Sequence, residues 1–458
     1  MSNHDQKLQR KMSERHIMMI ALGGAIGAGI FKGSSSAINM AGPSVILAYV
    51  LGGIIMLFVM QGMAEMAVQH KEARTFRDLI EPNLGSFSGY FIGWIYWTFW
   101  VLAMAAEAVV AASFLQYWLP NIPIWSLSLI ISIAITVLNL FSVKIFAETE
   151  YWFAFIKVFV ILLFIIFGFV VLLVPFGSHS AVGFSNLTAH GGFFPNGIVG
   201  VIHAMLVVIF SYGGTEMIGV TLAEAKDPQR VIPKAVRSTF VRIVAFYVLP
   251  FLVIVSLLPW NQVDSSKDSP FIMVFELMGI PYVGDIMNAV MLTAVLSSMN
   301  TGMYAASRVL YTQSTDGRAW KLFSQLSTRQ IPVYSILVGT VALYVGVLVE
   351  YFIGGTIFEY LMTSLGYTIL LIWFFISAAH LKSRQNATQL TGYYVKLYPY
   401  TTWVALISIV TIFIGVLATT PAAGSLVTFG MYGLICLFFL INKRKISLQD
   451  KNHSGSVR

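Results

Sequence analysis

The sequence predicts an all-α membrane protein of twelve transmembrane helices, and three observations carry that expectation. Apolar stretches of about twenty residues, the length that crosses a bilayer core, recur along the whole chain. Hydrophobic residues make up 57% of the chain and charged ones only 10%, where a soluble domain carries roughly a quarter charged, so the exterior faces lipid. Basic residues fall in every second loop, the mark of a chain whose even number of spans leaves both termini in the cytoplasm.

The twelve spans are expected at 17–38, 44–67, 87–117, 124–143, 150–174, 198–222, 238–258, 284–311, 332–352, 357–381, 401–419 and 425–442. Lys7, Arg10, Lys11 and Arg15 precede span 1, and Lys71, Arg74 and Arg77 follow span 2. Lys144 follows span 4, Lys226, Arg230, Lys234 and Arg237 follow span 6, and Arg318, Lys321 and Arg329 follow span 8. Lys382, Arg384 and Lys396 follow span 10, and Lys443, Arg444 and Lys445 follow span 12. The alternate loops, 118–123, 175–197, 259–283, 353–356 and 420–424, hold Lys267 alone. This distribution assigns the net charge of +8 to loop topology and argues against a nucleic-acid partner. Continuous helices pair every backbone group in lipid, and the strand alternation of an outer-membrane barrel is absent.

The organisation that follows is a cytoplasmic tail over 1–16, spans 1–5 over 17–174, spans 6–10 over 198–381, spans 11 and 12 over 401–442, and a cytoplasmic tail over 443–458. The first 16 residues lack the layout of a cleaved signal, and Ser447–Arg458 reads as a short disordered tail. Cys436 is the one cysteine, so no intramolecular disulfide can form.

Two spans are interrupted. Span 1 carries Gly23, Gly24, Gly27 and Gly29 near its middle, and span 6 carries Phe210-Ser211-Tyr212-Gly213-Gly214-Thr215-Glu216. Each interior glycine weakens a helix by roughly 0.5–1 kcal/mol relative to alanine, so such runs are tolerated where freed backbone faces protein or a polar cavity. Gly23 and Gly27 also have the spacing of close helix packing, so either segment alone has two readings. The two breaks open two sets of five spans, which is the pattern of an inverted-repeat transporter site. A helix that restarts after a break offers free N–H groups to a carboxylate, and carbonyls left before it can receive an ammonium. A zwitterion, and so an amino acid, suits both.

At these residues the sequence resembles the amino acid–polyamine–organocation superfamily, in its bacterial amino acid permease branch. The resemblance runs from Arg15 to about Lys382. It is carried by Arg15-His16-Ile17 leading into Gly23–Phe31, by Ala41-Gly42-Pro43-Ser44, by Phe210–Glu216 continuing through Glu224–Ala235, and by Ser298–Gly302 through Ser307–Tyr311 to Asp316-Gly317. It implies a five-plus-five inverted-repeat core of the LeuT type with two further C-terminal helices. It also implies that the N–H groups of Gly27, Ala28 and Gly29 receive the substrate carboxylate. The carbonyls of Ala25, Ile26, Phe210 and Gly213 would receive the amino group, with Phe210 as an aromatic gate and Asn300 to Gly302 as small lining residues. Lys32 departs from the apolar residue common after the first motif.

Ionisable groups inside a span cost about 2.5–3.5 kcal/mol each on insertion scales, so each wants a reason. Lys157 in span 5 reads either as a snorkelling lysine or, by the resemblance, as an ammonium standing where related transporters bind sodium, which would couple transport to protons. Glu107 in span 3 either pairs structurally or faces the substrate amine or a proton path. Glu216 is a gating, proton-sensing or structural residue, Glu65 reads as interfacial, and Arg308 as a cytoplasmic gate or anchor. His203 reads as a hydrogen-bonded core histidine, and Trp94–Trp100 as packing and interfacial anchoring. No metal, nucleotide or other cofactor pattern occurs, and no enzyme activity is expected. The leading expectation is proton-coupled uptake of a neutral amino acid such as serine, threonine, alanine or a branched-chain residue. The alternatives are an ion-independent exchanger or sensor, or a permease for γ-aminobutyrate or cationic amino acids. Oligomeric state is not legible.

Overall fold

The structure is a computed structural model that describes residues 26–70, 73–141, 143–175, 183–220, 243–263, 269–277, 282–353, 357–386, 392–419 and 422–455, with single residues between 230 and 241. The expectations placed on Arg15–Ala25 and on most of Glu224–Ala235 lie outside the described residues.

The helices are α1 Ala28–Phe31, α2 Gly33–Ala41, α3 Val45–Gln69, α4 Arg77–Leu84, α5 Ser86–Gln116, α6 Ile124–Asn139 and α7 Val143–Leu173. They continue with α8 Asn186–Ala189, α9 Gly197–Tyr212, α10 Met217–Val220, α11 Leu249–Leu257, α12 Pro270–Glu276 and α13 Val283–Thr315. The last four are α14 Val333–Ile353, α15 Ile357–Asn386, α16 Tyr400–Thr419 and α17 Ala422–Gly455. The chain is an all-α protein with a multi-span membrane fold, and among the described residues six helical stretches are long and apolar enough to cross a bilayer. Four shorter apolar helices accompany them, among them Ile124–Asn139 and Gly197–Tyr212.

Burial sorts the helices into centre and rim. The most apolar window of α5 is 78% buried, and that of Ser425–Asn442 only 22%. Helix α5 therefore runs through the middle of the bundle, packed against α13, while α17 turns Leu434, Leu437, Leu440 and Ile441 outward. Such an outward apolar face is stable only against lipid. The aromatic run of α5 divides accordingly: Tyr96, Phe99 and Trp100 are buried against one another, and Trp94 meets Trp97 at 5.8 Å nearer the rim.

Two expectations are corrected, and Glu65 gains its partners. Helix α17 continues to Gly455, so the tail from Ser447 is helical through that residue; Lys443–Lys451 is rich in good helix formers, which extends the span's own hydrogen bonding. Helix α7 starts at Val143, so Lys157 lies four turns from its start. Glu65 is buried within the bundle, where Arg384 Nη1 and the Val395 amide both donate to its carboxylate at 2.6 Å, with His380 Nε2 3.4 Å away. Those partners come from α15 and from the segment returning over it, which close around the C-terminal end of α3.

Candidate functional site at two helix breaks

The first break is at Ile26 and Gly27, where the chain bends before α1 begins. Gly27 has no side chain with which to cap the new helix, so its first N–H groups need another acceptor. Glu107, in the middle of α5, supplies it. Both carboxylate oxygens of Glu107 accept from the Ala28 amide, at 3.1 and 3.2 Å, and Oε1 also accepts from Ser298 Oγ of α13 at 2.8 Å. An alanine at position 27 would set its Cβ onto Glu107 Oε1 and within 2.9 Å of the Ser298 side chain. Glycine is what lets the carboxylate reach the backbone.

On the other side of the bend, Lys157 of α7 donates from Nζ to the Ile26 carbonyl at 2.8 Å. The residue is fully buried, which overturns the snorkelling reading: its ammonium ends on backbone at the break, not at an interface. An anion thus meets the restarting helix and a cation meets the carbonyl before it, each matching the partial charge it faces.

The second break follows α9. Gly213 closes that helix, its N–H donating to the Phe210 carbonyl at 2.8 Å and the Ile209 carbonyl at 3.1 Å. Gly214 has φ +94°, in the left-handed region where a side chain is strained. The turn is held by Glu216, whose Oε1 accepts from the Gly214 amide at 3.0 Å. Glu216 is fully buried beside Tyr96 and Trp373. The two breaks touch. A Cβ on Gly29 would lie 2.8 Å from Ser211 Oγ and 3.0 Å from the Phe210 ring.

The structure thus brings together Ile26, Gly27, Ala28, Gly29, Glu107, Lys157, Phe210 and, one turn on, Gly213 and Glu216. Ala25 lies outside the described residues. Gly302 sits on the far wall, against Met104 and Trp100 of α5. Asn300 is turned to α6: its Oδ1 accepts from Asn139 Nδ2 at 2.8 Å. Two of the carbonyls expected for an amino group are already engaged, that of Ile26 by Lys157 and that of Phe210 by Gly213. Lys32 occupies the single turn between α1 and α2, where its amide continues the hydrogen-bond ladder to the Ala28 carbonyl at 2.9 Å. Arg308 is buried with its guanidinium 4.2 Å over the Tyr304 ring. His203 Nε2 finds no hydrogen-bond partner among the described residues, so that expected bond is not made there.

Sequence reading quoted Ser298 only within a motif and missed its role in tethering Glu107, and it missed Glu150, a buried acid of α7 that accepts from Ser297 Oγ at 2.5 Å. Serines on a long helix give no pattern of their own. Glu150 fell at the drawn edge of span 5, where an acid calls for no explanation; only the earlier helix start puts it inside.

At the basic end of the bundle, α4 is tied to the end of α13. Arg74 Nη2 donates to both oxygens of Asp316, at 2.8 and 3.0 Å. Arg77 donates to Asp316, to Asp78 at 2.9 Å and to Gln313 at 2.7 Å, while Arg318 donates to Glu81. Burial alone would raise the Asp316 carboxyl, but the adjacent Arg77 and Arg74 outweigh it and hold the group below its ordinary value. A small cavity lined by Arg77, Thr312, Gln313 and Tyr96 lies just inside this network.

The model of the family described as "Amino acid permease" matches residues 16–448. An uncharacterized amino acid permease, YvbW of Bacillus subtilis, is 61% identical over 97% of this chain and 100% of its own length. The gamma-aminobutyric acid permease of the same organism is 38% identical over 98% of this chain and 96% of its own. The aromatic amino acid transport protein AroP of Escherichia coli is 36% identical over 98% and 99%. Glycine-broken helices meeting at a buried acid and lysine, together with likeness along nearly the full chain, lead to one conclusion: this multi-pass membrane protein belongs to the amino acid permease family.

Proposed function

We propose that this chain is a secondary active permease that takes up a neutral amino acid together with a proton, by alternating access around the breaks of spans 1 and 6. In this reading spans 1–5 and 6–10 are the two inverted repeats, spans 11 and 12 lie outside them, and both termini are cytoplasmic. The observation that carries it is the pair of buried charges bracketing one break, Lys157 on the Ile26 carbonyl and Glu107 on the Ala28 amide. A substrate carboxylate seeking the Gly27–Gly29 amides competes with Glu107 for the same donor, and a substrate ammonium seeking the Ile26 carbonyl competes with Lys157. Each exchange changes what a buried ion is paired with. Burying an unpaired ion costs several kcal/mol, so protonation changes at these two residues accompany binding, which is the coupling a symporter needs. Phe210 closes over the site, and Glu216 senses the state of the second break.

For the substrate side chain, Glu107, Lys157 and Glu216 are each engaged with backbone at a break, and the other described residues there are small or aromatic and uncharged, which supports a neutral substrate. The rings of Phe99, Trp100 and Phe210 against Gly213, Gly302 and Gly29 favour a second reading, a large apolar or aromatic side chain. The test is uptake of labelled amino acids into proteoliposomes with an inward proton gradient and no sodium. The panel would span alanine, serine, threonine, branched-chain and aromatic residues, γ-aminobutyrate and lysine. Accumulation of neutral amino acids, abolished by a protonophore and by Lys157→Ala, supports the symporter. Counterflow with no accumulation under the proton gradient would replace it with an exchanger.

A further inference from the structure

We infer that Glu150 is the proton acceptor for Lys157, forming the inner step of a relay that runs down α7 and empties on the side to which the basic loops point. The inference rests on the proton-coupled reading above and adds a residue and a direction to it. Glu150 is fully buried, one oxygen accepting from Ser297 Oγ at 2.5 Å, while Oε2 has no hydrogen-bond partner among the described residues. Two more buried polar atoms, Asn300 Nδ2 and Thr301 Oγ1, lie close enough to act on this carboxylate, and neither makes a hydrogen bond of ordinary geometry among the described residues. A site with a free carboxylate oxygen facing an amide donor and a hydroxyl is built to accept a proton or a water that carries one. Buried polar atoms of a native bundle seldom go unused.

Position supplies the direction. Glu150 and Lys157 are seven residues apart on α7, hence on one face, and helical side chains lean toward the N-terminus, which points Lys157 at the Glu150 turn. Among the described ionisable groups, Glu150 and Glu107 are the ones whose charge acts on Lys157, and Lys157 is the one that acts on Glu150. Among the described residues, α5 contributes the ionisable Glu107, while α6 and α13 contribute neutral groups, Asn139 from α6 and Ser297, Asn300 and Thr301 from α13. Glu150 lies nearer the start of α7, the end that Lys144 assigns to the cytoplasm.

The chemistry is a balanced proton transfer. Lys157 ammonium gives one proton to the Glu150 carboxylate, directly or through a water, leaving a neutral amine and a neutral acid. Net charge inside the bundle is unchanged, whereas releasing the Lys157 proton straight to solvent would strand a buried carboxylate. The neutral amine is a weaker donor to the Ile26 carbonyl, so the contact that holds the first break loosens as the proton moves on. Glu150 then gives its proton to cytoplasmic water as Lys157 takes up the next one from the opposite side, so the carboxylate re-forms facing an ammonium and is not left unpaired.

The experiment measures three quantities in proteoliposomes for wild type, Glu150→Gln and Glu150→Asp: accumulation under a proton gradient, substrate-driven proton uptake, and counterflow with equal substrate on both sides. The inference expects Glu150→Gln to lose accumulation and proton uptake about a hundredfold, the typical worth of a positioned proton acceptor, while counterflow continues. Glu150→Asp, which keeps a titratable acid, is expected to restore part of both. Wild-type coupling that survives intact in Glu150→Gln overturns the assignment of Glu150 and leaves the symporter standing. Wild type that moves no protons overturns both. Folded Glu150→Gln that has lost counterflow as well makes Glu150 structural and overturns the relay. If Glu150→Gln does not fold, Glu150→Asp decides: coupling slowed with counterflow at the wild-type rate is the supporting result, and coupling unchanged, or counterflow lost in step with coupling, the overturning one.

Discussion

The carboxylate of Glu107 lies 3.1 Å from the amide of Ala28, seventy-nine residues away in sequence, and caps a helix that its own chain leaves uncapped. A hydrogen bond to a charged group contributes about 1.5–3 kcal/mol, so the contact is strong enough to hold the break closed, and in the proposed mechanism a substrate carboxylate competes for it. Glu107→Gln is expected to bind amino acid within about tenfold of wild type, since a competing anion is gone, yet to lose proton-driven accumulation by about a hundredfold. Equilibrium binding beside gradient-driven uptake separates the two. Wild-type accumulation by Glu107→Gln would leave Glu107 with a purely structural role.

Gly27 is the residue that admits this contact. A methyl there falls on Glu107 Oε1 and reaches within 2.9 Å of Ser298, so something must shift. Overpacking of this kind costs typically 1–3 kcal/mol. Gly27→Ala is expected to lower the melting temperature in detergent and to cut uptake about tenfold or more, in keeping with such a loss at 1.4 kcal/mol per decade. Uptake at the wild-type rate would mean that the Glu107–Ala28 contact is dispensable.

These residues also show how far sequence alone reaches. The apolar stretches coincide with helices to within a few residues at most ends, because span length and glycine placement are local properties. Both breaks were legible for the same reason. What Glu107, Glu65 and Lys157 touch was not. Glu107 meets Ala28 and Ser298, and Glu65 meets Arg384 and Val395, partners separated by tens to hundreds of residues and chosen by packing. An acid in an apolar run announces that it needs a partner without saying which. Glu150 failed even that announcement, because misplacing the start of one helix by seven residues put it at an interface on paper.

The ion pairs joining α4 to α13 give a prediction in pH. The Asp316 carboxyl is held below its ordinary value of 3.8 by Arg77 and Arg74, so its contribution to stability is fully present above that value and is lost as pH falls through the lower, folded-state value. Arg77 is nearly buried, while Arg74 is 45% exposed and counts for little. Removing one partner of a buried pair costs about 3–5 kcal/mol, and the partial exposure here puts Asp316→Asn at about the lower end. Melting of wild type should therefore fall away below pH 3.8 more steeply than that of Asp316→Asn, which starts lower. Parallel curves, or equal stability at neutral pH, would remove this network from the account.

Gly302 tests which side chain the site accepts. It faces Met104 Cγ and Trp100 of α5, which a Cβ would approach to 2.8 and 3.0 Å. Trp100 is hemmed in by Tyr96 and Phe99, at 6.0 and 5.3 Å between ring centres, so it has little room to retreat; Met104 is more adaptable. The space taken by the new methyl therefore comes partly from whatever Trp100 and Met104 border. A single methylene in an apolar pocket discriminates by about 1–3 kcal/mol, or roughly 10- to 200-fold. Gly302→Ala is expected to depress uptake of the largest accepted amino acid by at least about tenfold while leaving alanine near its wild-type rate, read as competition by a graded series of side chains against one labelled substrate. Equal loss across the series would assign Gly302 to the packing of α13 on α5, and an unchanged profile would move the side-chain pocket away from this wall altogether.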